Sequence, residues 1–311
     1  MATNNFIVSS LPAFVQELEP VLIDQVSVKG PTIDRIAIQT GIKKSANLNY
    51  LDVRPVLQNG AGCGFTPQGE VELTDREIAV AVLKINLEIC PDKLRGTYAE
   101  HLIRTGADAD ADGDELPFNK EITDALVAWI QEVVELAIWQ GDTDSADENL
   151  ANFDGFIKIA QEEAGVIDVA IAASDTMMEA LDAVRAKIPA AARKRGAVIR
   201  VSPEDFETYM LELVAANLFH YSGPQDEDPT EWTMPGTRIR VVATEGLAGT
   251  HYVFATYDRN LYYGTDREND KEQFAIEYDE KAETFMIKVR WASGVQIAFP
   301  DRVVLGTRAS E

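Results

Sequence analysis

The fold is decided by one stretch of the sequence, Leu126-Val-Ala-Trp-Ile-Gln-Glu-Val-Val-Glu-Leu-Ala-Ile-Trp-Gln-Gly-Asp142. Apolar side chains in it and just upstream recur at intervals of three and four residues, which places them on one face of a helix: Ile122, Leu126, Ile130, Val133 and Ala137. The pattern predicts a helix over residues 121–140, with Asn119 as its N-cap and Gly141 just beyond its end. About 20 residues in a helix make a rod of about 30 Å.

Two acidic loops flank this helix. Upstream, Asp108-Ala-Asp110-Ala-Asp112-Gly113 opens like a calcium loop, with oxygen ligands at alternate positions and a glycine for the turn. The twelfth position of such a loop is a glutamate, but here it is Asn119, so a solvated acidic loop is the favoured interpretation. Downstream, three carboxylates suit either a cation site or an exposed turn: Asp142, Asp144 and Asp147.

Before residue 90 the pattern is that of β-strands. One apolar run begins at Ile36 and a second extends from Val71 to Leu87, and between them lies Gln58-Asn-Gly-Ala-Gly-Cys-Gly-Phe-Thr-Pro-Gln-Gly69. Glycine and proline at that density mark a long turn, so a long two-stranded loop is predicted. Such a hairpin is marginally stable in water unless it packs on a partner. We therefore expect neighbouring chains to complete it, with four candidate inter-subunit contacts: Phe65, Ile78, Val80 and Val82.

Two further helices are predicted after the second acidic loop. Ser174 is the expected N-cap of one and Pro189 its end, while Ser202-Pro203 opens the other with a capping serine and a proline at the first helical position. A short buried strand, Ala197–Val201, lies between them. The last third of the chain has the pattern of strands: Thr237–Ala243, His251–Tyr257, Gln273–Tyr278, Thr284–Trp291 and Val295–Phe299. Strand-rich ends around a helical middle indicate the α+β class.

The charge balance argues against direct binding of nucleic acid. The 311 residues include 28 Lys and Arg against 52 Asp and Glu, a formal net charge of −24. Nucleic acid repels such a chain unless a local basic stripe compensates, and the densest basic run is only Arg193-Lys194-Arg195. Two cysteines, Cys63 and Cys90, are too few for a disulfide framework and indicate reduced thiols in a cytoplasmic product. We find no signal peptide or membrane-spanning stretch, and expect no membrane partner.

The sequence offers little that indicates catalysis. The three histidines, His101, His220 and His251, are scattered and form no metal-binding pair. The serine-nucleophile elbow, the Walker-type phosphate loop and the dinucleotide glycine fingerprint are missing. We therefore predict no enzymatic activity and no cofactor. A metal-dependent hydrolase built on the Asp108–Asp114 cluster is the alternative of a different class.

The order of the parts resembles that of a known family. An N-terminal stretch interrupted by prolines is followed by the extended loop, the long helix, a Gly-Asp loop, helices mixed with strands and a β ending. Beside the helix itself, these segments carry the likeness: Phe153-Asp-Gly-Phe-Ile157, Ile199-Arg-Val-Ser-Pro-Glu-Asp-Phe206, Thr256-Tyr-Asp-Arg-Asn-Leu-Tyr-Tyr-Gly-Thr-Asp266, and Phe285-Met-Ile-Lys-Val-Arg-Trp-Ala-Ser-Gly-Val-Gln-Ile-Ala-Phe-Pro300 with Val303-Val-Leu305. Together they resemble the major capsid proteins of tailed bacteriophages, which have the Hong Kong 97-like fold.

The resemblance implies a division of the chain into an arm, a projecting loop and two domains, with the long helix as the spine of one of them. The implied ranges are an N-terminal arm over 1–33, an extended projecting β loop over 34–80, a peripheral domain with the spine helix over 81–165 and 250–292, and an axial domain over 166–249 and 293–311.

The resemblance also implies a function. A protein of this family assembles with copies of itself into pentamers and hexamers of an icosahedral shell around double-stranded DNA, without sequence-specific contact to that DNA. The expected location is the virion, after assembly in the host cytoplasm, and portal, scaffold, decoration or head-completion proteins would be further partners. Two alternatives stay open: an encapsulin-type nanocompartment shell with the same fold, and a carbohydrate-binding accessory module of a virion.

Overall fold

Two β-sheets, a separate hairpin and one long helix form the framework of the protein. The computed structural model describes six stretches of the chain: residues 29–58, 68–89, 115–218, 230–266, 273–279 and 284–308. Helices and strands alternate without a repeated βαβ unit in this part of the chain, and the predicted α+β class is confirmed.

The long helix, α1 (Glu115–Gln140), has 26 residues and begins before the predicted start at residue 121. Asn119 therefore lies inside the helix, and its prediction as the N-cap is wrong. Pro117 does not end the helix because it lies in the first turn, where a missing N–H costs no helical hydrogen bond. The end is as predicted: a Cβ at Gly141 would lie only 2.4 Å from the carbonyl oxygen of Phe153, so glycine is required there.

The first sheet has the strand order β1–β10–β12–β11, with β4 also paired to β12. Its strands are β1 (Ala37–Gln39), β4 (Ala81–Ile89), β10 (Leu261–Gly264), β11 (Gln273–Asp279) and β12 (Thr284–Ile297). The sequence predicted two strands where β12 is one. The strand does not break because its partner changes along its length: Ser293 pairs with Ala81 of β4, and Gly294 pairs with Gly264 of β10.

The second sheet has the order β5–β13–β9–β6–β8–β7. Its strands are β5 (Ile167–Ile171), β6 (Ala197–Val201), β7 (Glu231–Thr233), β8 (Arg240–Ala243), β9 (Tyr252–Tyr257) and β13 (Val304–Arg308). All five residues of β6 are buried, as predicted. Helix α2 (Phe156–Glu162) follows the long helix, and α3 (Met177–Lys187), α4 (Ala190–Lys194) and α5 (Pro203–Ala215) accompany this sheet.

The caps of α3 and α5 explain where each helix begins. For α5 the prediction is confirmed, since the Ser202 hydroxyl accepts a hydrogen bond from the N–H of Asp205 at 3.1 Å. For α3 the predicted N-cap, Ser174, is wrong, and Thr176 takes that position. Thr176 is the N-cap because it forms a capping box with Glu179. The N–H of Glu179 donates to Thr176 Oγ1 at 3.2 Å, and the N–H of Thr176 donates to Glu179 Oε2 at 3.0 Å.

Strands from the predicted peripheral and axial ranges are present in both sheets. Strand β9 lies within the range 250–292 that was assigned to the peripheral domain, yet it pairs with β6 and β13 of the second sheet. The end of β12, residues 293–297, was assigned to the axial domain, yet it pairs with β10 in the first sheet. Each sheet therefore includes strands from both predicted ranges, and the division of the chain into a peripheral and an axial domain stays a prediction.

The buried core around the long helix includes residues of both sheets, and it contains an aromatic cluster. Trp139 of α1 lies 5.2 Å from the ring of Phe156 in α2 and 5.3 Å from the ring of Phe254 in β9, measured between ring centroids. All three side chains are buried. A Cβ at Gly246 would lie 2.2 Å from the Trp139 ring, so the turn there approaches the helix as closely as glycine permits. The helix thus acts as the common support of the two sheets.

Candidate assembly interface

The hairpin predicted from the sequence is present and long. Strands β2 (Ser45–Pro55) and β3 (Gly69–Ala79) have 11 residues each and pair antiparallel from Ser45 with Ala79 to Pro55 with Gly69. At about 3.4 Å per residue the ribbon extends about 37 Å. It forms a two-stranded sheet of its own among the described residues. A ribbon of this kind presents both edges and both faces to whatever lies beside it.

The base of the hairpin is closed by its own chain. Ile42, Leu48 and Ile78 form a small buried cluster, with Val80 partly buried against it. Ile78 exposes 0% of its surface, so its prediction as an inter-subunit contact is wrong: the side chain holds the two strands to the first sheet. A Cβ at Gly264 would lie 2.9 Å from Ile78 Cδ1, which shows how tightly this base is packed.

The other candidate contacts have different settings. Val80 is partly buried at the base of the hairpin, whereas Val82 of β4 is 46% exposed and stays a predicted contact. Phe65 lies outside the described residues. Just after β2, Val56 is 53% exposed and Leu57 is 100% exposed, so apolar side chains are accessible at this end of the strand.

Polar contacts fix how the hairpin leaves the body. Arg76 of β3 forms an ion pair with Glu163, which follows α2. The Gln296 side-chain amide of β12 donates to the carbonyl oxygen of Glu77 at 2.8 Å. A Cβ at Gly294 would lie 2.1 Å from the carbonyl oxygen of Ala79. The root of the hairpin is therefore held against the first sheet and α2.

A buried hydrogen-bonded cluster ties the segment before the hairpin to the long helix. The N–H of Thr32 donates to Glu135 Oε2 at 3.2 Å, and its hydroxyl donates to Glu135 Oε1. The indole N–H of Trp139 donates to Thr32 Oγ1 at 2.8 Å. Burial raises the pKa of the Glu135 carboxyl, while the bonds from Thr32 act in the opposite direction. We did not predict this cluster from the sequence, where a single glutamate on the apolar side of the helix was its only signal.

A shallow apolar groove runs between α1 and the first sheet. Its volume is about 240 Å³, and its walls include Trp129 and Val133 of α1, Leu83 of β4 and Trp291 of β12. Trp129 is 45% exposed, although a side chain of this size and character is usually well covered. The buried indole N–H of Trp291 has no hydrogen-bond partner among the described residues. The groove therefore offers apolar area beside Trp129 to another chain.

The two acidic segments were considered as cation sites, and the structure describes only the second of them. Asp108, Asp110 and Asp112 lie outside the described residues. In the second segment the Lys158 ammonium lies 3.2 Å from both Asp142 Oδ1 and Asp144 Oδ2, so these carboxylates hold a lysine. The Asp144 N–H and Lys158 lower the pKa of Asp142, and the surrounding carboxylates raise the pKa of Lys158.

The remaining candidates for chemistry are dispersed. His251 is exposed, while His101, His220, Cys63 and Cys90 lie outside the described residues. In the described part of the chain no three His, Cys, Asp or Glu side chains converge as a metal site. None of the helices described has the length and apolar character that a membrane span requires.

Comparison with solved structures gives matches over almost the whole chain. The procapsid of satellite phage P4 with its size determination protein matches with a TM-score of 0.63 and 11% identity, over 99% of this chain and 93% of that one. The chain has the Hong Kong 97-like fold. The virus-like particle from Pyrococcus furiosus matches with a TM-score of 0.52 and 11% identity, over 93% and 97% of the two chains.

A third match is the capsid of an empty GTA particle, with a TM-score of 0.52 and 11% identity over 91% of this chain and 93% of that one. No family model matches the sequence, and no curated protein matches it. The likeness is thus one of three-dimensional structure, at a sequence identity too low to transfer individual residue roles. The fold that the sequence resemblance implied is confirmed.

Proposed function

We propose that this chain is a major capsid protein of a tailed bacteriophage, which assembles with copies of itself into an icosahedral shell around double-stranded DNA. The observation that carries the proposal is the combination of a body with the Hong Kong 97-like fold and a hairpin about 37 Å long that is held to the body at its root. The matched particles are a procapsid, a capsid and a virus-like particle. In the proposed shell the subunits form pentamers and hexamers.

The hairpin suits a subunit that must cover area. A lone two-stranded ribbon is marginally stable in water, and the root of this one is stabilised by buried apolar contacts with its own chain. Laid on a neighbour, it would bury both its own exposed apolar end at Leu57 and apolar surface of that neighbour. Obligate interfaces often bury more than about 2,000 Å², which a compact body without such an extension reaches with difficulty.

The groove beside Trp129 is the proposed seat for a second copy. It lies between the long helix and the first sheet, where the half-exposed Trp129 presents apolar area that a neighbour would cover. Val82, exposed on β4, is a further proposed contact.

The role we propose is structural and non-catalytic, and the proposed location is the virion, after assembly in the host cytoplasm. Portal, scaffold, decoration or head-completion proteins are proposed as further partners on the resemblance alone. An encapsulin-type nanocompartment shell is the second candidate. The match to a virus-like particle shows that the fold also occurs in a particle that is not named as a phage capsid.

Electron microscopy of the purified full chain, at low and at high salt, tests the proposal. We expect closed particles, or rings and tubes built from the same capsomers. A monomer of 34.2 kDa in both salts and in the presence of its phage's other head proteins would contradict it. The contents of particles made in the natural host separate the two candidates, because nuclease-protected double-stranded DNA supports the phage shell and a protein cargo supports the nanocompartment.

A further inference from the structure

An open cleft where the two sheets meet gathers arginines from distant parts of the sequence. Its volume is about 740 Å³, and four arginines line it: Arg35, Arg195, Arg240 and Arg259. Arg35 precedes β1, Arg195 precedes β6, Arg240 lies in β8, and Arg259 lies in the turn between β9 and β10. We call this feature the arginine cleft. The basic stripe that is missing from the linear sequence is thus assembled by the fold.

Two described carboxylates lie at the cleft, and each of them binds two arginines. Asp258 binds Arg240 at 3.2 Å and also pairs with the buried Arg200 behind the cleft wall. Glu231 binds Arg240 at 2.9 Å and Arg35 at 3.2 Å. Two carboxylates are therefore shared among three guanidinium groups.

The other two arginines of the cleft are exposed and form no salt bridge within the described chain. Arg195 donates to the Tyr257 hydroxyl at 3.1 Å and lies 5.3 Å from the centre of that ring, which orients its guanidinium group. Burial lowers the pKa of Arg200, and the nearby charges of Arg35 and Arg240 lower it further, as expected where positive charge accumulates. The chain as a whole has a net charge of −24, so this positive charge is local. It favours the binding of an anion at the cleft.

We propose that the arginine cleft binds phosphate groups, and that in the assembled particle these belong to the backbone of the enclosed nucleic acid. The assignment to nucleic acid rests on the proposed function. Guanidinium groups bind phosphate through paired N–H donors, and the described lining of the cleft contains arginine and no lysine. The backbone of nucleic acid carries one negative phosphodiester per nucleotide, so successive phosphates can each bind one of the two arginines that no carboxylate of the described chain holds.

The rest of the lining also suits the backbone of a nucleic acid. Tyr262 lies beside the arginines in the cleft wall, and tyrosine, like arginine, is among the side chains that bind the phosphate oxygens of duplex DNA. Contacts to phosphate carry no sequence information. The cleft therefore provides a local binding site on a subunit whose overall charge repels the genome. Binding at this site would not depend on the sequence of the nucleic acid.

Fluorescence anisotropy of the full chain with a labelled double-stranded DNA oligonucleotide, over a range of salt concentrations, tests the proposal. The test variant is Arg195→Ala with Arg259→Ala, since both side chains are exposed and neither supports a described salt bridge. The control variant is Lys187→Ala with Lys288→Ala, which removes the same charge from exposed positions outside the cleft. Thermal unfolding verifies that both variants are folded.

We expect the test variant to bind at least about tenfold more weakly than the control. Its salt slope should fall by about 2, because each of the two arginines it lacks neutralises one phosphate. Arg→Lys replacements at the same two positions should recover part of the affinity. Equal losses of affinity in the test and control variants, or no binding by the unaltered chain, would overturn the proposal.

Two competitors identify the source of the anion. Pyrophosphate should displace the oligonucleotide only weakly, whereas tight pyrophosphate binding with no oligonucleotide binding would overturn the assignment to nucleic acid. A synthetic peptide of residues 106–116, the densest acidic segment, tests a second copy of the chain as the occupant, and its binding more tightly than the oligonucleotide would also overturn it. Electron microscopy of the same variants keeps the two proposals separate: shells without cleft-dependent binding contradict only this inference, and binding without shells contradicts only the proposed function.

Discussion

Glu135 is a carboxylate on the buried side of the long helix, and its surroundings give it a measurable effect on stability. Burial raises the pKa of its carboxyl above the ordinary value of 4.5. Over the interval between 4.5 and the raised pKa, the folded chain holds a proton that the unfolded chain has lost. The contribution of this group to the free energy of unfolding is therefore fully present below pH 4.5 and is lost as the pH rises through the raised pKa.

We expect Glu135→Gln to lack this component, because an amide does not ionise. Urea unfolding of both proteins between about pH 4 and pH 8 checks it: the stability of the unaltered chain should fall relative to the variant as the pH rises. Glu135→Ala should cost about 1–3 kcal/mol, because it leaves the buried N–H and hydroxyl of Thr32 without their acceptor. A constant difference between the unaltered chain and Glu135→Gln over the whole range would contradict the prediction.

The two tryptophans of the long helix allow assembly to be separated from folding. Trp139 is fully buried, so Trp139→Ala should cost about 3–5 kcal/mol of stability. Trp129 is 45% exposed in the apolar groove, so Trp129→Ala should change the stability of the subunit by less than about 1 kcal/mol and still impair assembly. Chemical unfolding of the subunit and electron microscopy give the two readouts. Normal shells from folded Trp129→Ala protein would show that this groove is not an interface.

For single residues, the sequence predicts burial along a helix but not contacts with distant parts of the chain. The apolar spacing of the long helix shows that Ile130 and Ala137 face the core, and both are buried. It does not show that Glu135 on the same helix will meet Thr32, which lies 103 residues away. The linear sequence does not predict the arginine cleft either. Its arginines come together only because β6 pairs with β8 and β9, and β1 pairs with β10.

Among the elements, local signals predicted those whose ends depend on neighbouring residues. The hairpin, β6 and the start of α5 are present as predicted because turn glycines, a continuous apolar run and a serine cap act within a few residues. The single strand β12 was predicted as two because Gly294 is a common strand breaker. Only the structure shows that glycine is required there by the close approach of Ala79. Local sequence signals do not predict which distant segments pair with each other.

The hairpin is the element whose removal tests the shell most directly. Leu48 pairs with Arg76 at its root, and both have contacts with the body. Replacing residues 49–75 by Asn-Gly, which closes a two-residue turn, should leave the body folded and its thermal unfolding nearly unchanged. We expect this shortened chain to remain monomeric in sedimentation and to form no shells. Shells of normal size from it would mean that the ribbon contributes no essential contact.

For the whole molecule, the net charge of −24 opposes the association of subunits. Like-charged subunits must approach within a few ångströms to bury apolar surface, so the repulsion is felt wherever it is not screened. The screening length is about 30 Å at 0.01 M salt and about 8 Å at 0.15 M. Salt thus removes the long-range repulsion while it leaves apolar burial at Leu57, Val82 and Trp129 nearly unaffected.

We therefore expect the protein concentration at which shells first form to fall as salt rises from about 0.01 M to about 0.15 M. Light scattering over a dilution series at each salt concentration measures this threshold, and electron microscopy identifies the particles. The shortened-hairpin chain is the control, since screening cannot replace a missing interface and this chain should stay monomeric at every salt concentration. A threshold that rises steadily with salt would instead mean that ion pairs between subunits, rather than apolar contacts, hold the shell together.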